Sequence, residues 1–92
     1  MERLWTPDTS SVFNVTLISD VSDPSNVCRV RAPSKSIVFV LELKELNEKD
    51  VESYSKYWHD VQASIAHVII SNVDGWIQCA ALKRYFIPIS NF

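Results

Sequence analysis

The sequence predicts a small α/β (α+β) domain, a mixed sheet of four to five strands with one amphipathic helix packed on one face, in the order β-β-β-α-β(-β). Three observations carry that expectation. Short β-branched runs recur between turn signals. One apolar stripe follows helical spacing after Asn47. The stretch Ser36 to Leu43 (SIVFVLEL) is almost continuously apolar, as in a strand covered on both faces. The 92 residues, 47% of them hydrophobic, suit one folded domain rather than a disordered chain.

Met1 to Ser11 holds Pro7, Asp8, Thr9 and two serines, and reads as a flexible arm before a single domain over 12–92, with Leu4 and Trp5 as a docking anchor. Val12 to Val21 is β-branched and ends at a turn, so it reads as a strand. In Asp23-Pro24-Ser25-Asn26, proline presets φ and the Asp and Asn side chains can bond nearby backbone, which predicts the turn there. Val27 to Ala32 then alternates, with Arg29 and Arg31 on one face and Cys28 and Val30 on the other.

Asn47 is a good N-cap, Asp50 meets the positive helix end, and Leu46 and Val51 are placed for a hydrophobic staple. Val51, Tyr54, Trp58, Val61 and Ile65 recur at steps of three and four, which predicts a helix from about Glu48 to Ala66 whose stripe packs on the sheet. His67 to Ser71 follows as a strand. Strand, helix, strand over 36–72 predicts a right-handed crossover between two parallel strands. Asp74-Gly75, which contains the one glycine, signals a hairpin into Trp76 to Leu82. Trp76 to Phe86 reads as a strand, with a helix capped by Asp74 as the alternative. Pro88 restricts the last run to an edge strand or tail.

Chemistry is sparse. His59, His67, Cys28 and Cys79 form no CxxC or HxxxH spacing, so no metal is expected. No serine sits in a GxSxG turn, and one glycine cannot build a phosphate-cradling loop. The chain is therefore expected to be no enzyme and to use no cofactor or small-molecule substrate. A net charge of −2 gives no global attraction for nucleic acid or acidic membrane. The start lacks a signal peptide's apolar run, the longest apolar run is too short to span a bilayer, and the two cysteines read as free thiols. An intracellular protein, cytoplasmic or nuclear and without a membrane partner, is expected.

The aromatic content exceeds what a core this small needs, and aromatic residues are enriched at interfaces. Leu4, Trp5, Tyr57, Trp76, Tyr85, Phe86 and Phe92 are the candidate protein-interface residues. The expected function is protein–protein interaction or assembly, with another protein or a second copy as partner. The alternative is single-stranded RNA binding through Arg29, Arg31, Lys35, Lys83 and Arg84, with Tyr85 and Phe86 beside them to stack bases.

Ile18 to Val30, through Val21 and Pro24, resembles the opening strand pair of extended Tudor modules. Gly75 with Cys79-Ala80-Ala81 is similar to the stretch that opens the Tudor barrel in that family. The resemblance implies a degenerate or partial module acting as an adaptor in a ribonucleoprotein complex. SIVFVLEL departs from the pattern as an extra strand, no four-aromatic cage can be mapped, and so no methylarginine-binding residues are carried over.

Overall fold

The computed structural model describes residues 2–9 and 12–89. The strands are β1 (Leu4–Pro7), β2 (Phe13–Asp20), β3 (Asp23–Ala32), β4 (Val38–Glu45), β5 (Ser64–Ile70), β6 (Val73–Gln78) and β7 (Phe86–Pro88). The helices are α1 (Glu48–Tyr54) and α2 (Cys79–Tyr85). Among the described residues the seven strands form one sheet in the order β3-β2-β6-β5-β4-β1-β7, and every neighbouring pair is antiparallel. This corrects the expected mixed sheet of four to five strands with a single helix.

The parallel crossover fails for a reason of length. Helix α1 has only seven residues, about 10 Å at 1.5 Å per residue. Strand β4 has eight, about 26 Å at 3.3 Å per residue. A helix that short covers less than half of the strand, and the rest of the connection, from Ser55 on, folds as turns and bends instead of continuing along it. The chain instead turns over at the same end, and β5 runs antiparallel beside β4, from Glu45↔Ser64 to Phe39↔Ile69. The N-terminal half of the predicted helix is correct in detail: the Asn47 side chain accepts from the Asp50 amide at 2.9 Å. The helix stops at Tyr54, turns follow, and Asp60 takes a φ of 52°. The stripe still packs as one unit. Tyr54 and Ile65 are buried with Ile18 and Leu46, and Val51, Trp58, Val61 and Trp76 close around them. Two long-range bonds fix this cap over the β2–β3 hairpin. The Tyr54 hydroxyl donates to the Val21 carbonyl, and Trp58 Nε1 donates to the Pro24 carbonyl at 2.9 Å.

Both predicted hairpins form, with their turns displaced. Asp20 pairs with Asp23, so the first turn is Val21–Ser22, where Asp20 Oδ1 accepts from the amide and hydroxyl of Ser22. Asp23 makes the same pair of bonds with Ser25 at the start of β3. Pro24 is tolerated inside β3 because β3 is an edge strand. The second turn is Ser71–Asn72, with φ of 50° and 65°, the paired positive φ of a tight hairpin turn. Gly75 lies inside β6 instead.

Residues 4–7, expected in a flexible arm, are strand β1 between β4 and β7. Trp5 is 5% exposed and belongs to the main core, with Val15, Leu17, Val38, Val68, Ile70, Leu82 and Phe86. Residues 76–86 are neither all strand nor all helix: β6 ends at Gln78 and α2 begins at Cys79. Phe13 on β2 lies 5.6 Å from Phe86 on β7, centroid to centroid, although four strands separate β2 from β7 in the sheet. The sheet therefore curls around the main core, and the Tyr54 cluster lies on its outer face.

Candidate binding groove

Strand β2 pairs with β3 along its length, from Phe13↔Ala32 to Asp20↔Asp23. On its other side it meets β6 through a single pair, Ile18↔Trp76. The crossing is close because Gly75 has no side chain: a Cβ there would lie 2.7 Å from Leu17 Cβ and 3.2 Å from the Ile18 carbonyl oxygen. Beyond this pin the chain of β6 turns into α2, and β2 continues without a partner on that side. Alternate residues of an antiparallel strand direct their N–H and C=O groups to opposite edges. Between Phe13 and Leu17, one set of these groups thus faces β3 and the other faces a gap.

The gap is a groove of about 340 Å³ lined by Phe13, Asn14, Val15, Thr16, Ile18, Trp58, Trp76, Ile77, Gln78, Ala81 and Tyr85. Val15 and Ile77 belong to the inner core cluster, while Ile18, Trp58 and Trp76 belong to the outer one. Walls drawn from both faces put the groove between strands rather than on top of them. Trp76 is held by a stacked His67 ring, 4.7 Å away and 12° from parallel, and His67 Nε2 lies 3.2 Å from Asp74 Oδ2. Gln78 Oε1 accepts from the Gln62 amide at 3.2 Å. On the far side of Trp58, a second hollow of about 310 Å³ is lined by Thr16, Pro24, Ser25, Val27, Tyr57 and Trp58.

The rim is basic. Arg29 lies opposite Thr16 and Arg31 opposite Asn14, and directly opposed residues project to the same face. Both arginines are exposed. At the end of β6 Gln78, and on α2 Ala81 and Tyr85, face the groove; at 100° per residue Arg84 flanks the side that Ala81 and Tyr85 present and Lys83 lies opposite it. The ion pairs found among the described residues all involve His67, so no carboxylate of the described residues neutralises these arginines.

The candidate residues separate clearly. Tyr57 and Tyr85 are 60% and 51% exposed and border the two hollows. Trp76 is half-buried and lines the groove. Leu4 is half-buried on the outer face opposite Phe39, remote in the sheet from β2. Trp5 and Phe86, at 5% and 1% exposure, are core residues and not surface anchors. Phe92 lies outside the described residues. Lys35 sits in the turn between β3 and β4 and lines neither hollow. Sequence reasoning missed Phe13, Asn14, Thr16, Trp58, Gln78 and Ala81, since only the divergence of β2 from β6 brings them together. Trp58 carries a signal, as an aromatic near the end of an apolar stripe, but the stripe's spacing points to helix packing.

The titrating groups that depart from their ordinary values lie away from the groove lining. Burial, reinforced by Asp50 and Asp20, pushes the Tyr54 hydroxyl up, and the two Ser22 bonds hold Asp20 down. Burial likewise pushes the Cys79 thiol up, which disfavours the thiolate that a cysteine nucleophile needs. Cys28 and Cys79 are free thiols. Among the described residues no three His, Cys, Asp or Glu side chains could hold a metal ion, and no helix is long and apolar enough to cross a membrane. Cys79-Ala80-Ala81, similar to the stretch that opens the Tudor barrel, forms the first turn of α2. No family model matches the sequence, and neither the curated proteins nor the solved structures include a match.

Proposed function

We propose that this chain is a non-catalytic, intracellular protein-interaction module that receives its partner at the groove between β2 and β6–α2. One observation carries the reading. A β-sheet is interrupted beside a paired strand, and the interruption is lined by Phe13, Trp58, Trp76 and Tyr85. Aromatic side chains supply large contact area at low entropic cost, and an unsatisfied strand edge invites pairing. An adaptor role in a ribonucleoprotein complex, of the kind that the Tudor resemblance implies, is one form such a module takes. Single-stranded RNA is the rival occupant, because Arg29, Arg31 and Arg84 stand beside stackable rings.

The test places a photo-reactive benzoylphenylalanine at Tyr85, an exposed site whose replacement spares the core. The reading expects a cross-link to a protein, mapped by mass spectrometry to position 85 and competed away by unmodified chain. A control probe at exposed Lys35 should not capture the same protein. Cross-linking to RNA alone, or equal capture from both positions, would overturn the reading.

A further inference from the structure

We infer that the groove takes an extended segment of the partner, acidic and apolar in alternation, added as a strand along the open edge of β2. The inference rests on the protein-interaction reading above and specifies what the partner presents. The gap-facing backbone between Phe13 and Leu17 supplies the complement of another strand's backbone. Five residues at about 3.3 Å each give room for roughly five residues of added strand. The groove's two sides dictate the pattern. Side chains of the added strand that point inward meet Val15, Ile77 and Ala81, and so should be apolar. Those that point outward pass Trp58 and reach the face where Arg29 and Arg31 stand across Thr16 and Asn14, with Arg84 flanking the other side, and so should be acidic. Opposing charges stand behind Trp76, where Asp74 and Glu42 flank the His67 ring that stacks on it, and beside α2. Asp8 is tied through its amide to the Tyr85 carbonyl at 2.9 Å, and Glu45 is close enough to act on Cys79. The acidic side chains are therefore expected on the Arg29 and Arg31 side of the groove rather than on the Trp76 side. RNA fits the rim charge and the rings, but it has no use for the strand backbone.

The probe is a fluorescent peptide of alternating glutamate and valine, seven residues long, with a lysine–valine peptide and an oligouridylate of eight nucleotides as competitors for the assignment. Binding is read by anisotropy at fixed salt. The glutamate peptide should bind and the other two should not. Arg29→Glu with Arg31→Glu should weaken it about tenfold, as expected for two exposed ion pairs turned repulsive. Two further peptides, N-methylated at alternate residues in opposite phase, should differ sharply: one phase removes the N–H groups that pair with β2, and the other leaves them. Equal tolerance of both phases would show docking without strand addition and overturn the inference. So would failure of the glutamate peptide to bind, or preference for oligouridylate. If the peptide fails while the Tyr85 cross-link to protein persists, strand addition alone falls. If both fail, the interaction reading falls with it.

Discussion

Gly75 is the residue whose replacement tests the geometry of the groove's closed end. Its backbone carries no positive φ, so a glycine is not required there for conformational freedom. What requires it is the approach of β6 to β2: an added Cβ would sit 2.7 Å from Leu17 Cβ, 3.1 Å from Leu17 Cδ1 and 3.2 Å from the Ile18 carbonyl oxygen. Ordinary carbon contacts are about 3.5–4.0 Å, so the nearest one is short by about 1 Å. Leu17 Cδ1 can rotate away, but its Cβ is fixed by the backbone, and Leu17 is fully buried. The strands must therefore separate at the one place where they pair. Overpacking of this kind costs about 1–3 kcal/mol, offset by about 0.4–1 kcal/mol because alanine restricts the unfolded chain. Gly75→Ala should lose a net of roughly 1–2 kcal/mol. For a domain of this size that is a fall in Tm of roughly 4–16 °C, and a lower urea midpoint with an unchanged slope. Amides of Ile18 and Trp76 should exchange faster as well. A variant as stable as the parent would refute the close crossing as the reason for the glycine.

Three other perturbations give separate readings. Trp5→Ala should cost about 3–5 kcal/mol in urea unfolding, as for a large core aromatic; a loss below about 0.5 kcal/mol would return residues 4–7 to the status of an arm. Asn47→Ala should cost about 1 kcal/mol through the lost N-cap, read by the same assay. Tyr54→Phe should cost about 1 kcal/mol by leaving the Val21 carbonyl without its donor. It should also change the alkaline profile. The folded-state pKa of Tyr54 is raised, so its contribution is fully present below about pH 10, the unfolded value, and is lost as pH rises through the folded one. Stability of the parent should fall above about pH 10 more steeply than that of the phenylalanine variant.

The strands were the most legible part of the chain. Val12 to Ala32 reads as a hairpin because β-branched alternation survives any small shift of its turn. HVIIS reads as a buried strand from its apolar run, but SIVFVLEL, expected to be covered on both faces, is covered on one: Val38 and Val40 are buried, while Phe39, Leu41 and Leu43 are exposed on the other face. Turn positions were less legible. Asp23-Pro24 and Asp74-Gly75 carry stronger turn chemistry than Val21-Ser22 and Ser71-Asn72, yet an edge strand accommodates the proline and a strand crossing claims the glycine. The helix was half legible. Its cap is local and was read correctly, but spacing alone does not separate a long helix from one short helix whose following loop folds onto the same core. Trp58 and Tyr54 bond to carbonyls more than thirty residues away in sequence, and no local pattern announces that. The arginine pair on β3 was visible from alternation. The groove beside it was not, because it depends on where β6 leaves the sheet.

Native-state amide exchange across Phe13 to Leu17 tests the central claim most directly. In the free protein, alternate amides should exchange at sharply different rates, slow toward β3 and fast toward the gap, and the fast set should become protected when the glutamate–valine peptide is added. Uniform protection along Phe13 to Leu17 in the free protein, or a fast set that the peptide leaves unchanged, would contradict an open strand edge as the binding site.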